Sequence, residues 1–421
     1  MREATAVSAL GLTVTLVLSR PHIGRRLVVG PALAAAAGVL LMLLAGHVSP
    51  ADAVEAAEVL WRPLVAITSI MVTASAAAQL GVVDRLAATV FPLAGGSAER
   101  LYLVVFALSA TTAAVLNNDS AILLLTPLVV VLIRRLYPGR PELLMPFVFA
   151  VFMAAGVAPL VTSNPMNLIV ADYAGLDFNT YAVIMLPIAV VGWVVTFAVL
   201  RLIFRHELAD AGAALAMVRT DRRRWTPAER QGLAVTLIVL GTYPVVSYLD
   251  GSVWLVAGAG AAAATLLCWR HGVATPREVV VSGVSWEILV FLLGVFTLAI
   301  GLRNAGAVVW LTDLYAEAGL TVIGVVSALG SALINNHSMA LTNLFVIEAT
   351  PGSDQAEFLA ALIGGDLGPR LLPTGSLAGL LWFASLSRLG VDVSIRQFVR
   401  VGVLVTVPSL AVSLCMLVAL T

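Results

Sequence analysis

The stretch SATTAAVLNNDSAIL (residues 109–123) returns later in the chain as SALGSALINNHSMAL (residues 327–341). Seven of the fifteen aligned positions are identical at a constant spacing of 218 residues, including both asparagine pairs, Asn117-Asn118 and Asn335-Asn336. Chance would give about one or two identities in a chain this rich in Ala and Leu, so the pattern indicates an internal duplication. The polar residues at the centre of each copy need an explanation, because the sequence around them is almost entirely apolar.

The composition of the 421-residue chain predicts a membrane protein. Apolar residues make up 60% of the sequence, charged residues 11%, and the mean hydropathy is +1.00. Such a chain cannot bury its apolar surface around one aqueous core. The formal net charge of 0 argues against a nucleic-acid partner, and two cysteines, Cys268 and Cys415, indicate neither a disulfide framework nor a metal cluster. We therefore expect an all-α polytopic membrane protein without a metal or cofactor.

Segments with few charges recur along the chain, and a helical span of the bilayer needs about 20 such residues. They are residues 4–19, 28–47, 59–82, 101–134, 145–173, 182–203, 231–249, 252–269, 286–302, 319–347, 358–387 and 398–420. The first is interpreted as a retained span, because no small-residue cleavage pattern follows it. Four segments are interrupted: two by polar tips at residues 117–119 and 335–337, and two by clusters of Gly, Pro, Thr and Asn at residues 162–167 and 364–376.

Backbone groups cannot stay unpaired in lipid, so these interruptions are predicted to be buried in protein or to line a wet cavity. Residues 101–134 and 319–347 are interpreted as re-entrant hairpins, and residues 145–173 and 358–387 as broken transmembrane helices. With the hairpins set apart, about ten full spans remain. The predicted organisation is a first repeat at residues 1–203, a linker at residues 204–230, and a second repeat at residues 231–421.

The distribution of charge predicts how the chain is oriented. Arginines occupy alternate loops, at residues 20–26, 134–140, 219–230, 270–277 and 388–400, whereas Asp and Glu dominate the loops between them. By the positive-inside rule the arginine loops are cytoplasmic and both termini lie outside. The two tips then enter the membrane from opposite sides, so the repeats are predicted to be inverted copies. The linker is interpreted as a cytoplasmic topology anchor, with a docking patch for a partner as the alternative.

Inverted repeats with paired hairpins and broken helices are typical of secondary transporters, whose binding site lies near the midplane of the membrane. Broken helices present free N–H groups at one end and free carbonyls at the other. The candidate substrate-binding residues lie at the tips and breaks: Asn117, Asn118, Thr162, Ser163, Asn164, Asn167, Asn335, Asn336, Thr374, Gly375 and Ser376. The alternative is that the asparagines only cap the hairpin turns. Their occurrence in two matching pairs favours the binding site.

Proton coupling needs a group that can change its protonation state inside the membrane. Ionisable residues are costly there and are usually functional. The candidates are Asp119, Asp366 and His337, the last because an imidazole titrates near neutral pH. Asp119 is the first choice because it lies at a predicted tip. Asp366 has an alternative interpretation as a helix cap or as a salt-bridge partner of Arg370, four residues further on.

Several motifs resemble those of the arsenite efflux permeases, the ArsB-type branch of the ion transporter superfamily. They are LNNDSAILLLTPLVV, VTSNPMNLIVADYAGLDFNTYAVIMLP, GLRNAGAVVWL, SALINNHSMAL and GGDLGPRLLPTGSLAGLLW, in matching order from about residue 101 to the C terminus. The resemblance implies export of arsenite and antimonite as neutral trihydroxy acids in exchange for protons, across the cell (inner) membrane. It also implies, in some members, a separate cytoplasmic ATPase subunit. One difference stands out: members often have Leu-Pro after the second asparagine pair, where this chain has His337-Ser338.

The residues at the tips and breaks suit a neutral substrate, because amides and hydroxyls both donate and accept hydrogen bonds. No arginine lies at the tips, although Arg370 is close to the second break. Alternatives within the same fold are a sodium/proton antiporter and a sodium-coupled carboxylate transporter. A passive channel is less favoured, since it has no use for buried carboxylates. An enzyme is not predicted, because no His-Glu-x-x-His or comparable catalytic pairing is present.

Overall fold

The chain folds into helices almost throughout, as its composition predicts. The computed structural model describes residues 2–19, 22–23, 27–209 and 224–421. The first half contains α1 (Arg2–Ser19), α2 (Pro31–Leu44), α3 (Pro50–Gln79), α4 (Val82–Val90), α5 (Ala98–Val115), α6 (Asn118–Leu136), α7 (Leu144–Ala155), α8 (Pro165–Tyr173), α9 (Phe178–Ile203) and α10 (Arg205–Ala209). Two short strands, β1 (His22–Ile23) and β2 (Leu27–Val28), pair in antiparallel fashion between α1 and α2.

The second half repeats the order of the main elements. It contains α11 (Pro227–Tyr248), α12 (Val253–Arg270), α13 (Pro276–Gly283), α14 (Trp286–Ala305), α15 (Val309–Glu317), α16 (Leu320–Ile334), α17 (Asn336–Ala349), α18 (Gln355–Leu367), α19 (Leu377–Arg388) and α20 (Ile395–Leu420). Every predicted apolar segment is occupied by one helix or by a pair of helices. The inverted orientation of the two halves stays a prediction.

Seven of the described helices are long and apolar enough to cross a membrane: α3, α5, α9, α11, α12, α14 and α20. The prediction of a multi-pass, all-helical membrane protein is therefore confirmed. Three helices of eight or nine residues, α4, α13 and α15, fall outside the predicted segments. They were missed because a helix of two turns carries too few residues for a clear apolar pattern.

Each predicted hairpin is a pair of helices joined at an asparagine. α5 packs against α6, and α16 packs against α17. The turns are made by Asn117, with φ of 147°, and by Asn335, with φ of 76°. Positive φ with extended ψ is uncommon for residues other than glycine, so both asparagines have a strained backbone that their surroundings must hold. The same residue type therefore occupies a positive-φ turn in both halves, although the two φ values differ.

The first broken helix is interrupted between α7 and α8. α7 ends at Ala155, and α8 begins at Pro165, so residues 156–164 separate them and residues 165–167 of the predicted break are helical. Asn164 caps α8 by accepting a hydrogen bond from the N–H of Met166 (3.2 Å). An Asn-Pro pair starts a helix well, because asparagine caps the first turn and proline has no N–H to leave unpaired.

The second broken helix is interrupted over a shorter range than the predicted residues 364–376. α18 continues to Leu367, and α19 starts after its cap, Ser376, so the interruption covers residues 368–376. Gly364 is helical, and it allows α18 to pack closely against α16. A Cβ atom at Gly364 would lie 2.1 Å from the carbonyl oxygen of Gly324 on α16. Glycine is needed there because two helix backbones approach each other directly.

The helices assemble into two groups. α1, α2, α3, α11, α12 and α14 pack mainly against one another, and we call them the scaffold bundle. The two hairpins and the two broken helices, with α9 and α20, form the hairpin bundle. Contacts between the bundles run chiefly from α14 to α17 and from α3 to α8. In the hairpin bundle α7 and α17 are buried on nearly all sides, which explains why their sequences lack a polar face.

The predicted linker at residues 204–230 is only partly described. α10 and the start of α11 cover its two ends. Residues 210–223, together with Arg20 and residues 24–26, lie outside the described residues. The predictions that these arginines are cytoplasmic and that the linker is a topology anchor therefore stay predictions.

We expect Gly364→Ala to destabilise the protein by about 1–3 kcal/mol or more, because the new methyl group would overlap backbone that cannot move aside. The matched control is Gly241→Ala on α11, where a Cβ atom would meet no heavy atom within 4 Å. The control should be neutral or stabilise the helix by up to about 1 kcal/mol. Thermal unfolding of the detergent-purified variants measures both effects. Equal melting temperatures for the two variants would contradict the packing of α18 against α16.

Candidate functional site

The two asparagine turns are buried, and each caps its own hairpin. Oδ1 of Asn117 accepts a hydrogen bond from the N–H of Ser120 (2.8 Å), and Oδ1 of Asn335 accepts one from the N–H of His337 (3.1 Å). The capping role is therefore present at both tips. It does not use the whole amide group, because Nδ2 of Asn335 is buried without a hydrogen-bond partner among the described residues.

The remaining residues of the two tips differ in burial. Asn118 and Asp119, in the first turn of α6, are half-buried, whereas Asn336 and His337 are buried. Nδ1 of His337 lies 3.3 Å from Oδ1 of Asn335. Nε2 of the same imidazole is buried and has no hydrogen-bond partner in the described part of the chain. The first tip is thus the more open of the two.

Each break is tied to the hairpin of its own half by one hydroxyl group. Oγ of Ser163 donates a hydrogen bond to the carbonyl of Ala114 (3.1 Å), and Oγ1 of Thr374 donates one to the carbonyl of Ala332 (3.4 Å). Ala114 and Ala332 are separated by the same 218 residues as the asparagine pairs. Both carbonyls lie in the last turn of a helix, where no N–H of the helix itself can reach them. The hydroxyl groups therefore satisfy carbonyls that the hairpin turns leave free.

Asp366 joins the two broken helices. Its Oδ1 accepts a hydrogen bond from Nδ2 of Asn164 (2.8 Å), and its Oδ2 accepts one from Nδ2 of Asn167 (2.9 Å). The Asn167 amide also donates to the hydroxyl of Tyr181 (2.7 Å), which in turn donates to the carbonyl of Ala158 (3.3 Å). All three side chains around the carboxylate are neutral. A buried carboxylate is thus held by hydrogen bonds from amides that belong to the other half of the chain.

Arg370 is a buried cation whose hydrogen bonds go to groups other than Asp366. Its Nη2 donates a hydrogen bond to the carbonyl of Met153 (2.5 Å), and its Nη1 donates one to Oγ1 of Thr196 (3.3 Å). Met153 lies in the last turn of α7, where free carbonyls carry partial negative charge that attracts a cation. Thr196 is also 3.1 Å from Oγ of Ser409 on α20. Arg370 therefore caps the first broken helix from the second one, instead of pairing with Asp366.

The structure brings some of the predicted site residues together and leaves others apart. Asn164, Asn167 and Asp366 form one hydrogen-bonded cluster. Asp119 and His337 lie at separate tips, and the hydrogen bonds of His337 stay within its own turn. Tyr181 belongs to the cluster but was not predicted. No sequence signal marks it, because a tyrosine in an apolar span looks like any buried aromatic residue.

A cavity of about 290 Å³ lies beside the first break. Its walls come from α3, α8, the start of α9 and the loop between α11 and α12, and Val161 of the break is part of its lining. We call it the vestibule. The charged residues that line it are Asp172, Asp177, Asp250 and Arg62. Three carboxylates against one guanidinium make the vestibule acidic.

The Asp177 carboxylate of the vestibule is strongly held. Burial raises its pKa, but hydrogen bonds from Thr180 and Ser247 outweigh this effect and leave the pKa below its usual value. The Ser247 hydroxyl donates to Oδ1 (2.8 Å), and the N–H of Asn179 donates to the same atom (2.9 Å). Asp177 also caps the N terminus of α9. It is therefore ionised at neutral pH.

A buried polar cluster in the middle of apolar spanning helices, flanked by two hairpins and two broken helices, defines a multi-pass membrane transport protein. Comparison with known proteins makes the assignment more specific. The family model described as "Arsenical pump membrane protein" matches residues 5–420. The chain belongs to this family.

Individual relatives agree with the family model. The arsenical pump membrane protein of Escherichia coli (strain K12) is 30% identical over 420 residues, which covers 96% of both chains. The protein of the same name from Yersinia enterocolitica is 29% identical and covers 90% of both chains. Among solved structures, the YdaH transporter of Alcanivorax borkumensis, described as having an unusual topology, covers 98% of this chain and 96% of its own. Its TM-score is 0.57 at 16% identity, a likeness of fold.

We expect Asn167→Leu to destabilise the protein by about 1–3 kcal/mol, because it removes a buried hydrogen bond to a carboxylate without changing the side-chain size much. The matched control is Asn304→Leu at an exposed position, which removes hydrogen bonds from Nδ2 of Asn304 to Oδ1 of Asp52 (3.3 Å) and to the carbonyl of His47 (3.2 Å). Water can replace these bonds, so the control should cost under about 1 kcal/mol. Melting temperatures measure both costs. Equal losses would contradict the buried cluster around Asp366.

Proposed function

We propose that this chain exports arsenite and antimonite as neutral trihydroxy acids in exchange for protons, by alternating access between its two halves. The observation that carries the proposal is the buried Asp366 carboxylate, which is held by two amides of the other broken helix. Family membership supports an arsenical as the transported species. The proposal adds three points to family membership: the substrate is neutral, it is exported, and protons are the coupling ion.

The free polar atoms of the site suit a neutral triol. Oγ1 of Thr162, Oδ1 of Asn167 and Nδ2 of Asn335 are buried and lack a hydrogen-bond partner among the described residues. Buried polar atoms are nearly always paired, so unpaired ones call for a ligand or water. At the first break, a hydroxyl group of the substrate can donate to Oδ1 of Asn167 or accept from Oγ1 of Thr162. At the second tip, Nδ2 of Asn335 can donate to the substrate only in a state in which that tip is open. Hydrogen bonding of this kind needs no charge on the substrate.

Asp366 is well suited to exchange a proton. In a medium of low polarity an ionised carboxylate without a salt bridge is costly, even with the Arg370 guanidinium nearby, so the neutral and the ionised forms can interchange. Both carboxylate oxygens accept hydrogen bonds in the ionised form. Protonation would remove the negative charge that strengthens the hydrogen bonds from Asn164 and Asn167, which weakens the link between the two broken helices. Proton binding is thereby coupled to the geometry of the first break, and the coupling acts in both directions.

Asp119 and His337 are the other two residues proposed to bind the transported proton, together with Asp366. Asp119 lies at the more open tip, where a half-buried carboxylate can reach water, and it is the proposed relay between solvent and the site. His337 lies at the enclosed tip, where Nε2 is unpaired among the described residues. The two halves would thus carry different titratable groups at matching positions.

The acidic vestibule favours a neutral substrate over an anionic one. Its carboxylates create a negative potential that lowers the local concentration of dicarboxylates and does not act on a neutral acid. The same potential attracts cations, so sodium is the second candidate for the coupling ion. Transport measured with and without sodium separates the two.

The test uses inside-out membrane vesicles that contain the protein, with the lumen made acidic relative to the outside. We expect arsenite to accumulate in the lumen as protons leave, without sodium and without ATP. Vesicles lacking the protein are the control. Absence of arsenite uptake under the gradient would overturn the proposed substrate and coupling, and uptake only with a sodium gradient would replace the proton by sodium.

We expect Asp366→Asn and Asp119→Asn each to lower gradient-driven uptake at least tenfold, because neither amide can bind the transported proton. Asp366→Asn should retain arsenite exchange between preloaded vesicles and medium, since exchange needs no net proton movement. The matched control is Asp84→Asn, an exposed carboxylate on α4, which should leave uptake unchanged. Driven uptake at the wild-type rate in either test variant would remove that residue from the coupling role.

A further inference from the structure

Three cavities follow one face of α3. Pro63 and Ala66 line the vestibule, Ile70 and Thr73 line a second cavity, and Ala77 lines a third. Steps of three or four residues place these side chains on the same side of the helix. The opposite wall of the row is α11 and the loop that follows it, with the first break and the end of α5 between the two helices.

The second cavity is the narrow part of this row. Its volume is about 20 Å³, which holds about one water molecule, against about 290 Å³ for the vestibule and about 460 Å³ for the third cavity. Thr162 of the first break lines the narrow part and is directly preceded by Val161, which lines the vestibule. The vestibule therefore ends at the narrow part.

The hydroxyl-bearing residues that line the narrow part are three threonines, on α3, on α11 and in the first break, and Tyr243 on α11. Oγ1 of Thr73 donates to the carbonyl of Ser69 (2.9 Å), and Oγ1 of Thr236 donates to the carbonyl of Gly232 (3.0 Å). Both oxygens therefore remain free to accept a hydrogen bond. Oγ1 of Thr162 is buried and has no partner in the described part of the chain, so its hydrogen remains free to be donated.

The surroundings make the narrow part the place where a polar substrate is recognised. The walls of the third cavity are almost entirely apolar, so they cannot replace the water that a triol loses. On the other side of the bundle, Thr13 and Val17 of α1 with Phe291 of α14 close over Asn335, and they leave no room for a water molecule among the described residues. The narrow part therefore gives the first break a direct contact with a cavity, with walls from α3, α5 and α11.

We infer that Thr73 and Thr236 are substrate-contacting residues that, together with Thr162, form a three-hydroxyl selectivity constriction for a neutral polyhydroxy acid. When the narrow part widens to admit the substrate, Thr73 and Thr236 would accept hydrogen bonds from two substrate hydroxyl groups, and Thr162 would donate one to a third. This inference rests on the proposed function. It assigns recognition to the scaffold bundle, through α3 and α11, as well as to the breaks of the hairpin bundle.

The experiment measures the KM for arsenite in the vesicle assay for Thr73→Val and Thr236→Val, which remove the hydroxyl and keep the shape. We expect KM to rise at least fivefold in each. Thr73→Ser and Thr236→Ser, which retain the hydroxyl, should recover most of the loss and stay within about threefold of the wild type. The matched controls are Thr68→Val on α3 and Thr242→Val on α11. Each of these hydroxyls also donates to the carbonyl four residues earlier but lies outside the constriction.

The outcomes are distinguishable. Raised KM in the two test variants, with serine recovery and controls within twofold of the wild type, supports the constriction. If the wild type transports arsenite and the folded valine variants have an unchanged KM, the constriction is overturned and the proposed function still stands. The same conclusion follows if KM rises equally in the control variants. Absence of arsenite transport by the wild type overturns the proposed function itself. If a valine variant does not yield folded protein, Thr→Ala at the same position replaces it, with the same expectation.

Discussion

The rest of the structure depends on one constraint: interrupted helices inside a membrane protein must find partners for backbone groups that the helix no longer pairs. Two hydroxyl groups, of Ser163 and Thr374, meet this need by donating to the last turns of α5 and α16. Capping by Asn164 and Ser376 satisfies the N termini of α8 and α19. Because each break is tied to a hairpin in this way, the two hairpins and two broken helices form one bundle.

The same constraint explains the positions of Asp366 and Arg370, the two buried charges beside the breaks. Arg370 supplies donors to the free carbonyl end of α7, which is the most favourable neighbour for a cation in an apolar interior. Asp366 receives donors from the break that follows α7. The second broken helix therefore contacts the first on both sides of the first break. Arg370 binds the end of α7, and Asp366 binds the residues at the start of α8. A change of charge on Asp366 would alter its own hydrogen bonds to the first break and leave those of Arg370 in place.

Much of this fold was predictable because the decisive signals are local. The asparagine pairs marked both turns, and Asn-Pro marked the start of α8, since caps and prolines act within a few residues. The true start of the second interruption, after Leu367, was not predictable. Gly364 looked like part of the break, but it is a helical residue that lets α18 pack closely against Gly324 on α16. Tyr181 and Thr196 were missed for the same reason: their partners are distant in sequence. Thr162 was predicted from its position in the break, whereas Thr73 on α3 has no local signal.

The two breaks have the same order of elements, which makes the difference in their charged residues informative. Thr162 and Thr374 hold equivalent places in the short turns before α8 and α19, 212 residues apart. At the same spacing, Asp366 corresponds to Ala154 and Arg370 to Ala158. The two breaks thus have the same order of elements, while both buried charges beside the breaks, Asp366 and Arg370, belong to the second. In the proposed exchange each half would open in turn, and a carboxylate present in one break alone would make the two open states differ in energy when a proton binds. That difference is what an exchanger requires, because a proton that stabilised both states equally could not drive movement between them.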